Sequence, residues 1–151
     1  AMNLSATNTV LENIAIGYRS MAGLSEGNGN VAIGREALRG ATAIPVTLLG
    51  NVAIGDSVLY QPTVAPRAAV IGSLSASPGN TAQENTGLGF QTLGKQGAYF
   101  NTAVGATALQ MQRGGIVAGK NTAIGYGALQ QNTMGSTSVA IGAESLLTLT
   151  N

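Results

Sequence analysis

A nine-residue phrase of alternating small and bulky apolar positions recurs along the chain. It reads Asn, then Val, Thr or Ile, then Ala, Ile and Gly, then two variable residues, a small residue and Leu. Copies begin at Asn13 (NIAIGYRSM), Asn30 (NVAIGREAL), Asn51 (NVAIGDSVL), Ala68 (AAVIGSLSA), Asn85 (NTGLGFQTL), Asn101 (NTAVGATAL), Asn121 (NTAIGYGAL) and Ser138 (SVAIGAESL). Eight copies fill residues 13 to 146, and their glycines, at 17, 34, 55, 72, 89, 105, 125 and 142, lie 16 to 21 residues apart. That period is too short for two-helix repeats, and the Gly and β-branched content opposes helix. It suits an all-β architecture, a β-solenoid whose coil holds two short strands and two turns. Eight stacked coils at about 4.8 Å per step predict a rod about 38 Å long.

The alternation sets Ile16, Ile33, Ile54, Ile71, Leu88, Val104, Ile124 and Ile141 on one side, with the preceding Ala and following Gly on the other. The bulky ladder calls for burial, whereas the Ala/Gly ladder permits close approach of another backbone. Leu38, Leu59, Leu93, Leu109, Leu129 and Leu146, with Met21 and Ala76 in the same column, predict a second apolar ladder past the bend. The recurring Asn suits a turn, because it tolerates left-handed backbone and its amide can stack on equivalents in adjacent coils.

Composition bears on assembly. With 23 Ala and 22 Gly among 151 residues, against 15 Leu, six Phe or Tyr and no Trp, one chain is short of core volume. A coil buries about two large side chains at about 1.5 to 3 kcal/mol each. It forms about ten backbone hydrogen bonds at about 1 kcal/mol net, against about 17 kcal/mol for ordering its backbone. The sum is near zero, so the Ala/Gly face is expected to pack against identical chains. The eighth copy ends at Leu146, five residues before the last. Uncapped sheet ends invite association, so residues 1–151 read as one solenoid domain from a longer fibre.

Thirteen charged residues and a net charge of +1 exclude nucleic-acid binding driven by electrostatics. The absence of Cys and His removes the thiolate nucleophile, the disulfide, the commonest general base and the commonest metal ligand. No catalytic residue, metal site or cofactor is expected. No apolar run reaches the roughly 18 to 20 residues of a membrane helix, so membrane insertion is not expected either.

NVAIG at 30 to 34 and 51 to 55, SVAIG at 138 to 142 and NTAIGYGAL at 121 to 129 resemble the head repeats of trimeric autotransporter adhesins, the YadA-like family. Similar NTAIG-x-x-AL repeats occur in bacteriophage tail fibres. The resemblance covers about nine tenths of the chain. It implies a left-handed parallel β-roll assembled as a homotrimer about the fibre axis. The autotransporter repeat is usually nearer 14 residues, and the longer unit with Leu four positions after Gly is closer to the phage form. The implied function is non-enzymatic: a tail-fibre segment in the virion that forms or displays a receptor-binding surface for a glycan or outer-membrane component of the host bacterium. The alternatives are the head of an adhesin on the bacterial cell surface, binding host cells or matrix, and a glycan-cleaving tail spike.

Gly114 to Lys120 satisfies G-x-x-x-x-G-K, but Asn121 follows where a phosphate loop needs Ser or Thr and a helix, so a surface loop is expected. Glu36 and Asp56 fall on consecutive coils within reach of each other, as a glycosidase pair would. With Arg35 adjacent, they are expected to be solvated ion-pair partners. Tyr18, Phe90 and Tyr126 directly follow the motif glycine, while Tyr60, Tyr99 and Phe100 lie between motifs, and both sets suit packing or sugar stacking. Two long linkers, Arg39 to Gly50 and Gln110 to Lys120, are expected as loops that bind ligand or fill grooves between subunits. The irregular positions Arg39, Tyr60, Arg67, Tyr99, Phe100, Arg113 and Lys120 are the receptor-binding candidates.

Overall fold

The computed structural model describes residues 10–24, 26–40, 47–62, 67–76, 83–94, 99–111, 119–133 and 135–149. Among these the protein is all-β, without helix, and forms a parallel β-solenoid. Each motif copy contributes one short strand: β2 (Ile14–Ile16), β4 (Val31–Ile33), β6 (Val52–Ile54), β7 (Ala69–Ile71), β8 (Thr86–Leu88), β9 (Thr102–Val104), β10 (Thr122–Ile124) and β12 (Val139–Ile141). They stack in chain order into one eight-stranded parallel sheet. Register follows the motif without slippage, so Ala15 pairs with Ala32, Ala32 with Ala53, Ala53 with Val70, and Ala123 with Ala140. The return path is strand only in places. β1 (Val10–Leu11), β3 (Glu26–Asn28) and β5 (Thr47–Leu49) form a three-stranded parallel sheet, and β11 (Gln131–Asn132) pairs with β13 (Thr148–Leu149). The expectation of two strands in every coil is therefore too regular.

The segment after the motif glycine takes the place of a strand. In the second copy Glu36 and Leu38 both have left-handed backbone, at φ 55° and 51°, and the same two positions are left-handed in the other copies. Such residues cost on the order of 1 kcal/mol apiece. The alternation turns successive N–H groups toward opposite neighbours: Glu36 N–H donates to the Tyr18 carbonyl (2.8 Å), Leu38 N–H to the Val58 carbonyl (2.9 Å). Each strained residue thus carries a coil-to-coil hydrogen bond of comparable worth.

The interior is two facing columns. Ala32, Ala53, Ala103 and Ala123 are fully buried, as are Leu38, Leu59, Leu93, Leu109 and Leu129. A Cβ built on Gly87 would lie 2.7 Å from Leu93 Cδ1, which fixes the strand column against the Leu column of the same coil. The fourth copy reverses the sizes, with Val70 in the small column and Ala76 in the large one, both buried. Exchanging bulk between facing positions conserves volume. Its departure from the repeat is therefore a compensated pair.

Two expectations are corrected. The Ala column closes the inside of the coil and is not available to other chains, because a Leu from the turn segment already occupies the space beyond each methyl group. The Ile column points outward: Ile16 is 58% exposed, Ile71 43% and Leu88 48%, with Ile33, Ile54 and Val104 half-buried. The recurring Asn is likewise not the left-handed residue; that is the position before it, as at Phe100 (φ 61°) and Lys120 (φ 63°). Asn30, Asn51, Asn101 and Asn121 are buried and extend inward. Their amides do ladder: Asn30 Oδ1 accepts from the backbone N–H and Nδ2 of Asn51 (both 2.9 Å), and Asn51 Oδ1 accepts from Ala68 N–H (2.8 Å). Ala68 brings no amide, which interrupts the ladder at the fourth copy. The Leu column is buried throughout except at Leu146, in the last described coil, which is 47% exposed.

Candidate functional site

The candidate residues fall into two rows set by their position in the coil. Arg39 and Tyr60 each sit five residues after a motif glycine, past the turn segment and off the eight-stranded sheet. Arg39 Nη1 lies 2.9 Å from Glu36 Oε1 and donates to Tyr60 Oη at 2.9 Å, with its guanidinium 5.4 Å from the Tyr60 ring centre. The cluster continues to Arg19, 3.9 Å from Glu36 and stacked 5.3 Å from the Tyr18 ring, and to Arg35, which grips Asp56 through Nε and Nη2, both at 2.7 Å. The hydrogen bond that Arg35 donates to Asp56, followed by the carboxylate's charge, pushes the Arg35 pKa above its ordinary value, so this cation stays charged. Glu36 is held by Arg19, Arg39 and Arg35, and Asp56 by the same Arg35, and the arrangement supplies hydrogen bonding and stacking. Among the described residues no group of three or more metal-ligating side chains comes together.

Arg67, Phe100 and Lys120 share a different column, the exposed left-handed position before the motif Asn. Arg67 pairs with Glu84 at 3.8 Å in the next coil. Tyr99 lies beside this row, its ring 6.3 Å from that of Phe100 and its carbonyl accepting the Lys120 backbone N–H at 3.0 Å. The six described candidates therefore do not form one site. Arg113, half of the Arg39 to Gly50 linker and most of the Gln110 to Lys120 linker, including most of the glycine-rich segment 114–120, lie outside the described residues. Lys120 and Asn121 lead into β10, not into a helix.

Two features escaped the sequence reading. Gln110 Nε2 donates to Gln91 Oε1 (2.8 Å) and Gln130 Nε2 to Gln110 Oε1 (3.0 Å), a polar ladder on the turn side that alignment of the columns could have shown. The larger feature is the outward apolar stripe. It is flanked just past the glycine by exposed Tyr18, Phe90 and Tyr126. Eight strands at about 4.8 Å and a width of about 13 Å give on the order of 500 Å², as large as the biggest patches monomers leave open, which mark interaction sites. Among the described residues no helix is long and apolar enough to cross a membrane. Comparison with protein-family models, curated proteins and solved structures finds no match to this chain.

Proposed function

We propose that this chain is a non-enzymatic attachment protein: a left-handed, eight-coil β-roll, homotrimeric about the fibre axis, from a bacteriophage tail fibre in the virion, displaying a surface for a glycan or outer-membrane component of the host bacterium. The observation that carries this reading is the outward Ile stripe. A solenoid that turns one bulky apolar residue per coil away from its own core needs another surface to cover them, and three copies around an axis cover all three stripes at once. The NVAIG and NTAIGYGAL phrases support the same reading through their resemblance to fibrous adhesin and tail-fibre repeats. Recognition falls to cationic and aromatic groups outside the stripe, with Arg39 and Tyr60 foremost. Trimeric display multiplies weak single-site binding by avidity.

The experiment is binding of the labelled chain to a bacterial glycan array and to whole cells, with and without Arg39→Ala and Tyr60→Ala. The double variant is expected to keep the oligomeric mass and lose most of the binding. Unchanged binding would reduce this segment to a shaft.

A further inference from the structure

The two borders of the apolar stripe carry complementary bulk, and the geometry points to direct pairing of one border with the opposite border of a second copy. This inference rests on the trimer reading above. Strands run across the rod, each preceded by the left-handed residue before the motif Asn, its starting border, and followed by the residue after the motif Gly, its ending border. A closed three-fold ring makes all strands circulate in one sense, so the end of each meets the start of the next at the same height.

The two columns fit in the second, third, sixth and seventh coils, whereas the first and fifth set a carboxylate against a ring, Glu12 against Tyr18 and Glu84 against Phe90. In the second and third copies the starting position is Gly29 and Gly50, and the ending position is Arg35 and Asp56. In the sixth copy Phe100 starts and Ala106 ends; in the seventh, Lys120 starts and Tyr126 ends. Large thus meets small in three of these coils, and in the fourth a cation meets an exposed ring, an attractive pair when stacked.

Left-handed backbone favours glycine at Gly29 and Gly50 by about 1 kcal/mol, yet nothing among the described residues crowds either position. A Cβ on either would meet no atom within 4 Å. Their φ values, 67° and 66°, are close to the 61° and 63° that Phe100 and Lys120 adopt, so conformation does not demand glycine. The partner subunit's Arg35 and Asp56, already tied to each other at 2.7 Å, account for the space those glycines leave. Phe100, exposed over half its surface, in turn finds room over the partner subunit's Ala106. Arg67, Phe100 and Lys120 are then seam residues, and Arg39 with Tyr60 is left as the outward candidate for ligand.

The chain has no cysteine, so disulfide trapping reads the seam without background. Phe100→Cys with Ala106→Cys, and separately Lys120→Cys with Tyr126→Cys, place two thiols on opposite flanks of β9 and of β10. The three-residue strand between them alone spans about 10 Å, beyond the roughly 7 Å a disulfide spans. Mild oxidation is expected to convert most of each variant to covalent trimers on non-reducing gels. Phe100→Cys with Ser73→Cys, two coils out of step, should stay uncrosslinked. An unsubstituted chain that sediments as a trimer, with neither in-step pair crosslinking, overturns the seam and leaves the trimer standing. An unsubstituted chain that sediments as a monomer overturns both.

Discussion

The inward and outward sides of the same three-residue strand obey opposite rules. Inward, Ala53 is fully buried and packed against a Leu column that leaves no space beyond its methyl group. Outward, its neighbour Ile54 contributes to a surface that the coil itself never covers. In most sheets with one buried face the bulky residue goes in and the small or polar one goes out. The difference here is one of cross-section: in a coil narrow enough to close in 16 to 21 residues, Leu from the turn segment, joined in places by residues such as Leu48 and Val58, fills the interior and leaves the Ile column outside.

The largest effect should come where backbone meets backbone. Gly55 has φ 131°, and a Cβ there would collide with the Gly72 carbonyl of the next coil. Gly55→Val is therefore expected to abolish the cooperative melt seen by circular dichroism. Next, Ala53→Leu should destabilise by about 1 to 3 kcal/mol in denaturant unfolding, whereas Ile54→Leu, which keeps volume on the open side, should cost under about 1.5 kcal/mol. Equal losses at both positions would break the distinction between the sides. The smallest net effect belongs to the fourth coil. Val70→Ala leaves a void and Ala76→Leu overfills the core, each costing about 1 to 3 kcal/mol, while the double variant restores the ordinary coil. A double-mutant cycle should show coupling of at least about 1 kcal/mol, and additivity would deny that these two side chains face each other.

These positions also show what could be read before the structure. The repeat, its register, the buried Leu column and the amide ladder were legible, because each follows from identical residues recurring at one coil position. The direction of the strand was not. Period-two alternation says that Ala53 and Ile54 point to opposite sides but not which side is interior. Choosing the bulky side assumes a core wide enough to take it. The compensation of Val70 by Ala76 was equally hidden, since their contact depends on how the turn folds back. The site suffered from the same limit: Arg39 and Tyr60 were singled out as separate irregularities, and only their shared place in the coil brings guanidinium and phenol to 2.9 Å. Arg67, Phe100 and Lys120 were listed beside them, yet belong to another edge.

The assignment of the Ile column to an interface between copies is tested most directly by sedimentation equilibrium of the unsubstituted chain beside Ile54→Glu/Ile124→Glu. The unsubstituted chain should run at about 45 kDa, three times 15.1 kDa. The charged variant should lose the trimer mass, since burying carboxylates in an apolar seam is costly unless they are paired. A folded, cooperative 15.1 kDa monomer from the unsubstituted chain, or a full trimer from the charged variant, would contradict that assignment.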